Sequence, residues 1–206
     1  MKRLLFFVLL FISISNLKAQ DVVRSHNGFY LSMGVGPVFG KISDDIDTYT
    51  MDMSGTGAVF DFKIGGAIKE NLVLHATLIS NTMAGPTITT SDNSSIKAND
   101  NLNVGEAMLG AGITYYVMPQ NILLSGTLGF GNFSIMDNSN SANDVSTKIG
   151  FSMQFKVGKE WKISKKWGLG AAFTYGKTNL TNNPGGGVVE KMDSNRFGIL
   201  FNASLN

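Results

Sequence analysis

Val145-Ser146-Thr147-Lys148-Ile149-Gly150-Phe151-Ser152-Met153-Gln154-Phe155-Lys156-Val157 is the most regular stretch of the chain. Its odd positions carry Val145, Ile149, Phe151, Met153, Phe155 and Val157, with Thr147 among them. Its even positions carry Ser146, Lys148, Gly150, Ser152, Gln154 and Lys156. A period of two is the signature of a strand, whose successive side chains point to opposite faces. One face is bulky and apolar. The other is small or polar and holds two lysines. Such a strand lies between two different environments.

The same pattern recurs seven times. Residues 29–36 alternate around Phe29, Leu31, Met33 and Val35, and residues 58–65 around Phe60, Phe62 and Ile64, with Asp61 and Lys63 opposite. Residues 72–79 set His75 on the face away from Leu72, Leu74 and Leu78. Residues 106–115 set Glu106 opposite Leu109, Ile113 and Tyr115. Residues 122–130, 167–175 and 196–205 complete the set, the last with Arg196 opposite Phe197, Ile199 and Phe201. Each segment is near the roughly 9–11 residues that cross a membrane as a tilted strand. Glycine recurs through all of them, which disfavours helix.

The connections alternate in length. Long polar stretches at 41–54, 83–101, 136–144 and 177–193 are separated by short ones at 69–71, 118–121 and 159–166. Long, short, long is the rhythm of an up-and-down meander with long loops at one end and tight turns at the other. The bulk of the two faces decides which one points inward. A barrel of eight strands is about wide enough to be filled by side chains. Gly, Ser and Thr with a few charges fit that space; the Phe-, Leu- and Trp-rich faces would overfill it. The apolar faces therefore point outward into lipid. Aromatic residues near segment ends, including Phe29, Tyr30, Tyr115, Tyr116, Trp161, Trp167 and Tyr175, suit an interfacial girdle.

Residues 1–19 read as a secretory signal peptide: Lys2 and Arg3, an apolar run from Leu4 to Ile14, then Leu17-Lys18-Ala19 before the expected cleavage. The run is too short to span a membrane as a helix. Without Lys2, Arg3 and Lys18 the mature chain has 14 basic and 15 acidic side chains, so the pI of 8.8 comes mostly from the leader. Nucleic acid drops out as a partner. The chain has no Cys, which excludes a disulfide framework, a Cys-based zinc site and a lipid-modified cysteine anchor. At 43% hydrophobic residues it is not a disordered chain.

The leader ending at Ala19-Gln20, the eight segments, and the turns Tyr115-Tyr116-Val117-Met118-Pro119-Gln120-Asn121 and Gly158-Lys159-Glu160-Trp161 carry a family resemblance. The chain resembles small Gram-negative outer-membrane barrels of the OmpA/OmpX-like and opacity-like kind, of a Bacteroidota type. That resemblance covers the whole mature chain and implies fold and location, with no shared catalytic motif. Such proteins often end in Phe or Trp. This one ends Ala203-Ser204-Leu205-Asn206, which keeps the alternation.

Candidate chemistry is sparse. By parity Asp61, Lys63, His75, Glu106, Lys148, Lys156 and Arg196 form a lumen charge network. A packed set of ion pairs that fills the barrel is the favoured reading; a polar ion path is the other. Four bases against two acids would give such a path an anion preference. His75 has the default role of a hydrogen-bonded structural residue rather than part of a Ser-His-acid group. His26, ahead of the first strand, is expected in solvent. The first long stretch holds Asp44, Asp45, Asp47 and Asp52, a loose carboxylate group without the spacing of a calcium loop. The turn at 159–167 carries a charge of +3, suited to phosphates of the inner leaflet.

The expectation is an all-β protein: an eight-stranded antiparallel up-and-down transmembrane β-barrel over residues 20–206, with short periplasmic turns and four long extracellular loops. It would sit in the Gram-negative outer membrane, in contact with lipid and lipopolysaccharide. Its expected role is structural or interactive, with an extracellular partner engaged through 41–54, 83–101, 135–144 and 177–193. A narrow porin-like channel is the alternative. No enzyme activity, cofactor or metal is expected.

Overall fold

The computed structural model describes residues 25–47, 49–140, 142, 144–185 and 188–206; the expected leader lies outside them. Strands follow in the order β1 (Phe29–Ile46), β2 (Tyr49–Lys69), β3 (Leu72–Ala84), β4 (Thr87–Thr90), β5 (Ser95–Lys97), β6 (Leu102–Val117), β7 (Ile122–Asp137), β8 (Val145–Ser146), β9 (Gly150–Lys162), β10 (Trp167–Gly185) and β11 (Val188–Leu205). The eight long ones make the wall. Each pairs antiparallel with the next, and β1 also pairs with β11 from Leu31↔Leu205 to Ile46↔Glu190. That last pairing removes the free edges, as a barrel must.

The outer face settles the surroundings. Phe130, Phe173, Leu109 and Phe201 stand 64–68% exposed on it, with Phe29, Leu128, Phe155 and Phe197 also exposed. So broad an apolar surface is stable only against lipid. Phe29, Tyr115, Trp161 and Trp167 mark its margins on the outside. Tyr30 and Tyr116 do not join them: both are buried inside the barrel, 2% and 0% exposed, which corrects the girdle assignment for these two. In strands one position moves a side chain to the other face.

One end is tight. Turns at 70–71, 118–121 and 163–166 join the strands there, with Asn71 and Asn121 at φ 63° and 56° in the left-handed region that asparagine tolerates. The other end differs from expectation. Residues 41–54 and 177–193 are not open loops: β1 continues into β2, and β10 into β11, as paired strands almost to their tips. β2 has 21 residues and β10 has 19, against 13 in β3 and in β9. About ten cross the bilayer, so the excess stands above it. On the outer face Phe39 gives way to Lys41 and Asp45, and Phe197 to Asn195, Asp193 and Lys191, which marks where lipid ends. β4 then adds to β2 opposite Met51–Ser54, and β5 pairs with β4. The result is a raised sheet of six strands on one side of the mouth, ordered β10-β11-β1-β2-β4-β5.

Glycine allows the close wall contacts that a narrow barrel needs. A Cβ at Gly36 would collide with the Ile199 carbonyl, and one at Gly65 with the Leu74 carbonyl.

Candidate functional site: the barrel interior and its two ends

The inward positions of the eight wall strands meet along the axis, and three layers fill the lumen.

The middle layer is charged. Asp61 of β2 lies 3.4 Å from Lys63 and 3.3 Å from Lys156 of β9, and all three side chains are buried. Lys63 Nζ also donates to Thr77 at 3.4 Å, Thr127 at 3.3 Å and Gln154 at 3.2 Å, so one ammonium joins four strands. A second pair joins Arg196 of β11 to Glu106 of β6. Arg196 further donates to Thr178 and Ser194, and Ser194 donates to Glu106. Between them, Asn81, Val38 and Ile42 is a cavity of about 30 Å³, room for a water molecule or two. His75 has both ring nitrogens engaged by hydroxyls, Nδ1 with Thr77 at 2.8 Å and Nε2 with Thr114 at 3.0 Å.

The tight end is closed by directional contacts. The His26 ring stacks on Tyr116 with centroids 3.5 Å apart and planes 7° from parallel. Its Nε2 meets Asn121 Oδ1 at 2.7 Å, and its Nδ1 meets the Asn206 side chain. The His26 backbone exchanges hydrogen bonds with Asn71, at 2.9 and 3.1 Å. Tyr116 donates its hydroxyl toward Tyr30 and Glu160, each at 3.2 Å, and Ser204 donates to Glu160 at 2.9 Å. The segment before β1, two turns and the C-terminal residue therefore lock into one plug. Burial, partly offset by the Asn121 hydrogen bond, holds the His26 imidazole down at about 4.

The long-strand end is closed by bulk. Ile42, Met53, Met83, Val104, Phe133, Leu180 and Met192 form a buried apolar cluster inside the wall. Above it Asp44 is 5% exposed, although its strand stands clear of the lipid band. Burial first, then the neighbouring Glu190, pushes the Asp44 carboxyl up to about 6.

A family model described as the outer membrane protein beta-barrel domain matches residues 4–203. The chain belongs to that family. Among solved structures it is similar to Neisserial surface protein A, with 12% identity over 88% of this chain and 99% of that one, at a TM-score of 0.54. It is also similar to OprG from Pseudomonas aeruginosa, with 14% identity over 90% and 100% of the two chains, at a TM-score of 0.51. The third likeness is to the outer membrane protein AlkL, with 15% identity over 92% and 94%, at a TM-score of 0.50. At such identities the likeness shows the fold. A search of curated proteins returned no match.

As an outer-membrane barrel, the protein has its tight turns at the periplasmic end and its raised sheet at the cell surface. The structure brings Asp61, Lys63, His75, Glu106, Lys156 and Arg196 into the lumen. It does not bring Lys148 there. Lys148 is exposed and precedes β9, because regular pairing of that strand starts only at Gly150. Alternation at 145–149 continues past the end of the paired strand. His26 is 1% exposed, which overturns its placement in solvent. Glu160, read as part of a basic turn, is 3% exposed inside the barrel. With Lys148 out and Glu160 and Asp44 in, the buried charges of the interior are four acids (Asp44, Asp61, Glu106, Glu160) and three bases (Lys63, Lys156, Arg196) among the described residues, and the premise of an anion-selective path is gone. Parity does signal Glu160: it continues the inward series Ser152, Gln154 and Lys156. Nothing local signals His26, whose burial depends on turns distant in sequence.

Proposed function

We propose that this outer-membrane barrel acts at the cell surface as an interaction protein, through the raised sheet and the loops beside it, and does not act as a channel. The observation that carries this reading is closure of the lumen at both ends, by an apolar cluster outside and a stacked His–Tyr plug inside, around a middle layer in which Lys63 and Arg196 are bound. A conducting barrel needs mobile, hydrated charges; here the charges are paired. The raised sheet instead presents a polar outer face. Lys41, Asp45, Asp52, Lys177, Lys191 and Asp193 alternate in sign across it, and β5 ends it as an exposed edge of Ser95–Lys97. Extra strand length above the bilayer serves no purpose for anchoring and displays that surface.

The test is to replace residues 86–98 with a short turn, which removes β4 and β5 and leaves the wall intact. Cells displaying the trimmed protein are compared with wild type for autoaggregation and for attachment to extracellular matrix. Both proteins are expected to fold, by mobility shift of unboiled samples, and attachment to fall in the trimmed strain. Equal attachment in trimmed, wild-type and null strains would reject the interaction role.

A further inference from the structure

At the surface mouth one pair of acids points inward, while the lysines point outward. Asp44 of β1 points into the barrel directly above the apolar cluster. It stands opposite Met192 of β11, and its neighbour across the diagonal is Glu190, which pairs with Ile46. Asn182 of β10 stands opposite Glu190 and donates Nδ2 to Glu190 Oε2 at 2.7 Å. Three strands thus bring two carboxylates and a carboxamide to one corner, on a floor that includes Ile42, Met53 and Met192.

Among the described residues no base answers this charge. Lys41 is held outside by Asp52 at 2.8 Å, and Lys177 by Asp193 at 3.7 Å. Lys191 is exposed opposite Asp45 on the outer face. Arg196 lies two inward positions below Met192 and is bound to Glu106. Asp44 Oδ1 is buried and has no hydrogen-bond partner, and the hydrogen-bond contact of the Asp44 carboxyl is with the Glu190 carboxyl itself. A carboxylate so placed, beside a second one, is costly unless a positive species joins them.

We propose that Asp44 and Glu190 form a site for Ca²⁺ at the mouth of the barrel. Hard oxygen ligands of two carboxylates, completed by water on the open side, are the donors Ca²⁺ takes. Asn182 is a positioning residue: it occupies Glu190 Oε2, so that Oε1 and Asp44 Oδ1 remain for the ion. The ion would join β1 to β11 across the pairing that closes the barrel, and brace the base of the raised sheet. The inference is independent of what that sheet binds.

The test uses the full mature chain refolded in detergent, stripped with EDTA and titrated at pH 7.5 with Ca²⁺, and separately with Mg²⁺, by calorimetry. Saturable binding of one Ca²⁺ is expected, with a dissociation constant of about 10⁻⁴–10⁻³ M, as extracellular calcium modules show. Asp44→Asn and Glu190→Gln should each weaken it about tenfold or more, while Asp52→Asn on the outer face leaves it unchanged. Both inward variants remove charge at nearly constant volume, and mobility shift confirms that they fold. Absence of Ca²⁺ binding would overturn the proposal, and so would equal binding by wild type and Asp44→Asn. If wild type instead only gains thermal stability on acidification from pH 7 to 5, a shared proton holds the pair and the calcium site is refuted.

Discussion

The two ends of this barrel are closed by opposite means. The periplasmic end uses directional contacts: a His26–Tyr116 stack, an Asn121 carboxamide, a Glu160 carboxylate and the last residue of the chain. The surface end uses volume: three methionines with Ile, Val, Leu and Phe. A directional plug depends on each atom being in place. An apolar plug depends on the space being filled, and methionine adapts its shape to do so. One narrow lumen is thus sealed by chemistry at one end and by packing at the other. Substitutions should separate the two.

The largest effect is expected where the ends meet. Asp61→Asn leaves Lys63 and Lys156 buried without their carboxylate, and should lower the unfolding free energy in micelles by about 3–5 kcal/mol. A loss under about 1 kcal/mol would mean the middle layer is hydrated and loose. At the surface end, Met192→Ala should cost about 2–4 kcal/mol and Met192→Leu less than about 1.5 kcal/mol, because volume is what matters there. Equal costs for the two would show that the apolar plug is as exacting as the polar one.

The periplasmic plug should respond to pH. His26 is held near 4 when folded and titrates near 6.5 when unfolded. Between those values the unfolded chain binds the extra proton, so stability falls as pH is lowered from about 6.5 to 4, by up to about 3 kcal/mol. Denaturant melts of wild type against His26→Gln should show this difference in slope, and parallel curves would contradict it. The smallest effect is Tyr116→Phe, which removes the hydroxyl facing Tyr30 and Glu160 but keeps the stack, at a cost of about 1–2 kcal/mol.

Much of the wall was legible in the sequence because a period of two needs no knowledge of partners. Phe60, Phe62 and Ile64 against Asp61 and Lys63 assign β2's faces whatever strand lies beside it. Strand ends were not legible. The pattern depends on contrast between lipid and lumen, and above the bilayer the outer face meets water, so Lys41, Ser43 and Asp45 look like loop while remaining paired strand. Lys148 fails for the converse reason, since alternation there lacks pairing. His26 and Asp44 are buried by residues far away in sequence, Asn121 and Asn206 for one, Glu190 for the other.

Single-channel recording of the refolded mature chain in a planar bilayer tests most directly whether the two plugs close the lumen. A folded barrel with no openings is expected, and none from Tyr116→Ala with Met53→Ala and Met192→Ala while the paired middle layer stays in place. Steady openings of the wild-type protein, changed in selectivity by Lys63→Gln, would contradict that closure.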